Sequence, residues 1–222
     1  EESGFENVKR WVPFAVDEAG FCDWISNKMV RPTTIPHSMD TLMLEQALAR
    51  EALRLSFDHH KSLARKVEEE QVAGWKSETK MFSSEGEEII KMMDLDVLVG
   101  SGGVLSHAPR REQAALMLLD AFEPQGVTDL AVDSIFMMPH LGVLASTHPE
   151  ISAEVFDKDC LIRLGTAIVP VGRRGREGRK VLEATIDFEA GEAETIEVAH
   201  GELRRIPLEP GETAHVTVRP VG

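Results

Sequence analysis

Residues 98–109 are Leu98-Val99-Gly100-Ser101-Gly102-Gly103-Val104-Leu105-Ser106-His107-Ala108-Pro109, and they join two kinds of element. The apolar residues before Gly100 predict a buried strand, and Pro109 is well suited to the first turn of a helix. Glycine has no Cβ, so a strand that ends in glycines lets its backbone come close to a ligand. The helix terminus that follows can attract negative charge. The sequence therefore predicts a binding loop here, and a tight turn without a ligand is the structural alternative.

Two familiar phosphate-binding motifs do not fit this loop. A Rossmann fingerprint that starts at Gly100 needs glycine at its sixth position, where Leu105 stands. A P-loop needs Gly-Lys-Ser or Gly-Lys-Thr, and neither occurs in the chain.

Helices and strands alternate around the loop. Helices are predicted at residues 23–29, 38–70 and 85–93, from 109 onward, at 139–145, and from 149 onward. Strands are predicted at residues 96–99, 130–132 and 161–171. This order predicts an α/β layer with a mostly parallel sheet.

The longest predicted helix covers residues 38–70, which contain no Gly or Pro. Ser38 can act as its N-cap, and apolar residues recur with a period of 3.6. Its alanines, Ala47, Ala49 and Ala52, predict close packing against a neighbouring element.

The pattern changes at the carboxyl end of the chain. Residues 172–180 predict a flexible boundary, and the five positive charges within 173–180 fit either a solvated linker or a contact with an acidic partner or a phosphate. From residue 181 the apolar period is two, which predicts strands. With further strands at 195–199, 203–206 and 214–218, residues 181–222 predict a small all-β sandwich or barrel-like module of four or more strands.

The composition excludes several classes of protein. The chain has 222 residues and a formal net charge of −14, which argues against a general nucleic-acid partner. No apolar run is long enough to span a membrane. Cys22 and Cys160 lack metal-site spacing and predict two buried thiols in a reducing cytoplasm.

Several polar residues are candidates for chemistry, and each has a structural alternative. Asp58-His59-His60 suggests a metal site, or cationic side chains that favour the end of a helix. His140 and His148 suggest proton shuttles, or packing and capping residues. Asp133 follows a predicted strand, so it suits either a ligand cleft or the capping of a helix. No catalytic residue and no metal ligand is assigned.

Residues 98–109 resemble the adenosine motif of the actin-like ATPase superfamily, in which a strand ends in glycines and a serine and a proline follow. Residues 131–145 resemble the second connecting helix of that superfamily. The resemblance implies a ribonuclease H-like lobe at residues 95–172, with a helical insertion at 1–94 and the β module after it. It also implies backbone contacts to the adenine and ribose of ATP or ADP from Gly100, Ser101, Gly102, Gly103 and Ser106.

The amino-acid sequence is also similar to that of the MutL-type glutamate mutase accessory proteins. These proteins are unrelated to the mismatch-repair proteins of the same name. The likeness covers nearly the whole chain, the β tail included, and is carried by Arg31-Pro32-Thr33-Thr34-Ile35-Pro36, Ala49-Arg50-Glu51-Ala52-Leu53-Arg54, residues 100–120 and Phe156-Asp157-Lys158-Asp159-Cys160-Leu161. It implies an ATP-dependent reactivating chaperone that binds an adenosylcobalamin-dependent mutase. Homo-oligomerisation and the identity of the mutase are left open.

One expected part of an actin-like ATPase is absent from the sequence. The superfamily holds Mg²⁺ and phosphates with an Asp-x-Gly-x-Thr/Ser loop, which does not occur here, since Asp17-Glu18-Ala19-Gly20 has the wrong spacing. We therefore expect a C-terminal part of a longer ATPase, with ATP and Mg²⁺ bound by the full-length protein and no hydrolysis by these residues alone. The alternatives are a lobe of a hydantoinase-like or sugar-kinase-like enzyme, and a structural scaffold that has lost its nucleotide.

Overall fold

The computed structural model describes residues 4–73, 90–172, 176–189, 191–209 and 211–221. Within these residues the chain is a mixed α/β protein with seven α-helices and two three-stranded sheets. The prediction of an α/β class is confirmed at this level. The chain forms two compact units, Glu1–Ala167 and Ile168–Gly222, which are described separately below.

Three helices open the first unit: α1 at Phe5–Lys9, α2 at Glu18–Val30 and α3 at Met39–Ala73. The helix predicted at 23–29 is present but begins earlier, because Asp17 accepts a hydrogen bond from the Gly20 N–H at 2.8 Å and caps α2. Ser38 caps α3 as predicted, since its Oγ accepts from the Thr41 N–H at 3.2 Å.

Helix α3 uses two apolar faces. One face places Leu44 and Ala47 in a buried cluster with Val8 of α1 and Phe21 of α2. The other face packs Ala49 and Leu53 against a second buried cluster, whose members are Leu105, Ala108, Ala114, Met117, Leu118 and Val132. The predicted close packing is confirmed for Ala47 and Ala49, whereas Ala52 is exposed.

The second cluster belongs to a strand–helix–strand unit. It consists of β1 at Val97–Gly100, α4 at Gly103–Ser106, α5 at Arg111–Phe122 and β2 at Gly126–Asp133. Strands β1 and β2 are parallel, with Val97 opposite Asp129 and Gly100 opposite Val132. A parallel pair needs a crossover connection, which α4 and α5 supply.

Two helix predictions near this unit need correction. The helix expected from Pro109 begins at Arg111, where Gln113 Oε1 accepts a hydrogen bond from the Arg110 N–H. Of the helix predicted at 85–93, residues 85–89 lie outside the described residues, and Met92–Asp94 is a single 3₁₀ turn. Lys91 and Leu95, on either side of this turn, have extended backbone, so no α-helix passes through it.

Helices α6 at Met138–Ala145 and α7 at Pro149–Val155 follow β2, and a π-helical turn at Phe156–Cys160 leads into β3 at Leu161–Val169. The sheet order is β1-β2-β3. Ser134 Oγ donates to the Cys160 carbonyl at 2.8 Å, and Thr166 Oγ1 donates to Asp129 at 2.6 Å. The first contact joins the end of β2 to the start of β3, and the second joins the middles of the two strands, so β3 runs opposite to β2. The prediction of a mostly parallel sheet is therefore wrong for β3, and β1 and β2 form the parallel pair of this sheet.

The second unit contains an antiparallel sheet of order β5-β4-β6, with β4 at Lys180–Phe188, β5 at Glu194–Ala199 and β6 at Ala214–Pro220. Leu182, Ala184 and Ile186 of β4 are buried, as the period of two predicted. The strand predicted at 203–206 is wrong, because these residues form no strand. Leu203 and Ile206 are separated by two arginines, so the run lacks the alternation of a half-buried strand. The sheet in the described part of this unit has three strands.

The two cysteines differ from the expectation of two buried thiols. Cys160 is buried, and Cys22 is exposed on α2. Burial raises the pKa of the Cys160 thiol, and the nearby charge of Asp133 raises it further.

Candidate functional site

The candidate site lies where β1 and β2 end. Gly100 is the last residue of β1, and Asp133 is the last residue of β2. Because parallel strands finish at the same edge of a sheet, the two residues meet there. Ligands of α/β proteins bind at this edge, in the loops that follow the strands.

The three glycines of the loop play different parts. A Cβ at Gly100 would lie 2.9 Å from Leu105 Cδ1 and 3.2 Å from Leu118 Cδ2, so a side chain here would force the ends of these two leucines to shift. Gly102 has φ +103°, a conformation that other residues rarely adopt. A Cβ at Gly102 or at Gly103 would meet no protein atom within 4 Å. The open side of the loop is therefore at Gly102 and Gly103.

Both serines of the loop connect it to Asp133. Ser106 is buried, and its Oγ donates to the Asp133 carbonyl at 2.5 Å. Ser101 Oγ makes a longer bond to Asp133 Oδ2 at 3.5 Å. Arg111 Nη1 donates to the Ser106 carbonyl at 2.7 Å and fixes the passage from α4 to α5. The structure thus places Ser101 and Ser106 around the same residue, Asp133. The buried hydrogen bond of Ser106 fixes the position of the loop.

Asp133 also organises the loop that follows β2. Its carboxylate is fully buried and accepts the backbone N–H groups of Met138 at 2.9 Å, Met137 at 3.1 Å and Ile135 at 3.4 Å. Burial pushes the pKa of Asp133 upward, but these backbone donors together lower it below its ordinary value. Asp133 binds the first N–H group of α6, as the capping interpretation expected, although the N-cap position of that helix is Met137. The same carboxylate stands beside the glycine loop.

The loop after Asp133 contains a feature that the sequence did not indicate. Phe136 has φ +59°, and the residue is 56% exposed. Left-handed backbone at a large aromatic residue is uncommon in any protein. An Asp at a strand end is visible in a sequence, whereas a left-handed φ three residues before the helix predicted at 139–145 is not.

The remaining candidates do not join this site. His140 is exposed on α6, and exposed His148 precedes α7, where its carbonyl accepts from the Ser152 N–H. Asp58-His59-His60 does not end α3, which continues to Ala73, and Asp58 pairs with Arg54 at 2.9 Å. No group of three His, Cys, Asp or Glu side chains in the described ranges could hold a metal ion.

The basic stretch at 173–180 is only partly observed. Residues 173–175 lie outside the described residues. Lys180 belongs to β4, where its Nζ pairs with Glu197 at 2.5 Å and with Glu183 at 2.7 Å. This lysine is therefore a strand residue whose charge is already paired.

A further polar cluster on α3 was not expected from the sequence. Glu51 is fully buried and binds Arg54, Arg10 and Trp11. Arg10 and Trp11 lie some forty positions earlier in the chain, so no local pattern indicates the cluster.

Comparison with known proteins gives one match. The family model described as MutL protein matches residues 1–160, a span that includes the glycine loop and Asp133 and leaves out β4–β6. No curated protein and no solved structure matches the chain. Among the described helices, none combines the length and the apolar character needed to cross a membrane.

Proposed function

The chain belongs to the MutL family of glutamate mutase accessory proteins, and from this premise we propose that it forms part of an ATP-dependent chaperone. This chaperone would reactivate an adenosylcobalamin-dependent mutase. Such a chaperone uses nucleotide binding to help exchange damaged cobalamin. In this proposal the first unit supplies the adenosine half of a nucleotide site, as in the lobe of an actin-like ATPase. The sheet β5-β4-β6 supplies a docking surface for the mutase.

The observation that carries the nucleotide proposal is the open glycine loop at the edge of the parallel strands. Gly102 and Gly103 leave backbone exposed where a Cβ would meet nothing, so adenine and ribose can approach the main chain closely. Ser101 is half-buried beside them, while Gly100 and Ser106 act through the position of the loop.

The phosphate half of the site has no counterpart in the sequence. Transfer of a phosphoryl group depends on positioning the phosphates and Mg²⁺, and the Asp-x-Gly-x-Thr/Ser loop that does this in actin-like ATPases is absent from the 222 residues. We therefore propose that the chain binds adenosine and ATP with similar affinity and does not hydrolyse ATP by itself.

Titration calorimetry with adenosine, ADP and ATP tests this proposal on the wild-type chain and on Gly103→Ala. We expect the substitution to weaken adenosine binding by about tenfold, because a methyl group would occupy the space of the ligand. The melting temperature should stay unchanged, since the added Cβ meets no protein atom within 4 Å. Gly172→Ala is the matched control, because its Cβ also enters open space but lies outside the loop.

Two results would contradict the proposal. A wild-type chain that binds no adenosine would favour the scaffold alternative, which one observation supports: Gly100 and Asp133 already have packing and capping roles. Equal binding by Gly103→Ala and the wild type would place the nucleotide away from this loop. The alternative of a hydantoinase-like or sugar-kinase-like enzyme requires a group of acid–base or metal-binding residues. In the described part of the chain, no group of three His, Cys, Asp or Glu side chains could hold a metal ion.

A further inference from the structure

The backbone of Phe136 is in an unfavourable conformation that no helix end explains. Phe136 and Glu123 are the two non-glycine residues with positive φ in the described part of the chain. Glu123 is the C-cap of α5, a position where left-handed backbone is common. Phe136 instead precedes α6 and completes no helix end. Strained residues of this kind persist where surrounding contacts fix them, and they concentrate at ligand sites.

The contacts that fix Phe136 come from Asp133. Its buried carboxylate accepts the N–H groups of Ile135 and Met137, the two neighbours of Phe136, and also that of Met138. These bonds hold the turn while more than half of the surface of Phe136 stays in contact with solvent. The ring therefore adds little to the hydrophobic core, so core packing does not account for the strain.

The same carboxylate places this turn beside the glycine loop. Ser101 Oγ reaches Asp133 Oδ2, and Ser106 Oγ reaches the Asp133 carbonyl. Residues 134–138 and residues 100–106 are thus two adjoining loops that share one buried anchor. The first offers an exposed aromatic ring, and the second offers exposed backbone at Gly102 and Gly103.

We propose that Phe136 forms the second wall of the ligand site and stacks against the base of a bound nucleoside. This inference rests on the proposed nucleotide function and adds the residue that recognises the base. Aromatic side chains stack on bases because both present flat apolar faces. The carboxylate of Asp133 accepts backbone N–H groups of residues 135–138, and Asp133 also binds the two serines of residues 100–106. It therefore positions both loops, and its negative charge does not face the phosphates of the ligand.

The test compares Phe136→Asn, which tolerates left-handed backbone but removes the ring, with Phe136→Tyr, which keeps a ring. In calorimetry with adenosine, we expect Phe136→Asn to bind about tenfold more weakly and Phe136→Tyr to stay within about threefold of wild type. Ribose 5-phosphate, which has no base, should bind all three proteins equally. Val143→Asn, at a 75% exposed apolar position on α6, is the control and should change nothing.

Thermal unfolding of the wild type, of Phe136→Asn and of a further variant, Phe136→Gly, separates a ligand-binding role of Phe136 from a structural one. Phe136→Asn and Phe136→Gly should melt at the wild-type temperature or above it, because both residues accept φ +59° more readily than Phe. Weaker adenosine binding together with retained stability supports the proposal. Unchanged adenosine binding in Phe136→Asn would overturn the stacking role of Phe136 and leave the proposed nucleotide function standing. A melting temperature that falls in both Phe136→Asn and Phe136→Gly would do the same. A wild-type chain that binds no adenosine overturns the proposed function as well.

Discussion

At the scale of single residues, Glu51 connects the amino-terminal segment to the longest helix. Its carboxylate lies in α3 and accepts from Arg54 Nη2 at 2.5 Å, Arg10 Nη2 at 2.8 Å and Trp11 Nε1 at 3.2 Å. The hydrogen bond from Arg54 is the largest influence on the pKa of Glu51. Together with Trp11 and Arg10 it outweighs the opposing effect of burial, so the pKa is lowered. The carboxylate therefore stays ionised although it is fully buried.

We expect Glu51→Gln to lower the free energy of unfolding by about 2 kcal/mol at pH 7, because three donors lose a charged acceptor. A carboxyl whose pKa is lowered by folding stabilises the protein above its unfolded pKa of about 4.3, and this stabilisation is lost as the pH falls through the lower folded value. The difference between wild type and variant should accordingly shrink from about pH 5 downward. Urea unfolding followed by circular dichroism at pH 7, 5 and 3 measures it.

Glu6→Gln provides the matched control for Glu51. Glu6 is an exposed partner of Lys9 at 3.4 Å, and pairs of this kind contribute less than about 1 kcal/mol. A Glu51→Gln difference that stays constant down to pH 3 would show that the carboxylate charge is not what stabilises the cluster.

Residue-scale features were predictable where the residue type itself restricts the backbone. The run Gly100–Gly103 marks a loop because glycine permits conformations that other residues avoid, and Asp133 marks the end of a strand for a similar local reason. Glu51 and Phe136 gave no such signal. A glutamate in a helix is normally exposed, and its burial here depends on side chains brought together by the fold.

At the scale of elements, α3 is the helix on which the first unit is packed. Its Ala47 is fully buried against the cluster of Val8 and Phe21, whereas Ala52 on the same helix is exposed. We expect Ala47→Leu to destabilise the protein by about 1–3 kcal/mol, because three extra carbons have no space in a packed interior. Ala52→Leu adds the same atoms on the solvent side and should change stability by less than about 0.5 kcal/mol.

Chemical unfolding of both variants by fluorescence or circular dichroism measures these changes. Equal effects at Ala47 and Ala52 would mean that α1 and α2 do not pack on this face of α3.

Elements were predictable when their pattern was long enough to repeat. The 3.6 period over α3 and the period of two over β4 specify a helix and a strand without help from neighbours. Residues 203–206 are only four positions long, and their two apolar residues, Leu203 and Ile206, stand three apart, so this run carries no period of two. The direction of β3 depends on contacts such as Thr166 to Asp129, which follow from the path of the chain and not from local pattern.

At the scale of the whole molecule, the family match and the two units divide the chain in a similar way. The match to the MutL protein family covers residues 1–160, which lie within the first unit. The β5-β4-β6 sheet lies outside the match, so the likeness of this tail to the family stays a prediction. A part of the chain with its own sheet and its own buried residues, such as Leu182 and Ile186, is suited to a separate task.

The task that we propose for this sheet is docking on the mutase, and removal of residues 181–222 tests it. We expect the shortened chain to bind glutamate mutase at least about tenfold more weakly, because the proposed contact surface is gone. Adenosine binding should be unchanged, since Gly102, Gly103 and Asp133 all belong to the first unit. Calorimetry with each binding partner measures both quantities, and circular dichroism checks that the helices remain folded. Mutase affinity equal to that of the complete chain would exclude the sheet as the docking surface and assign that role to residues 1–180.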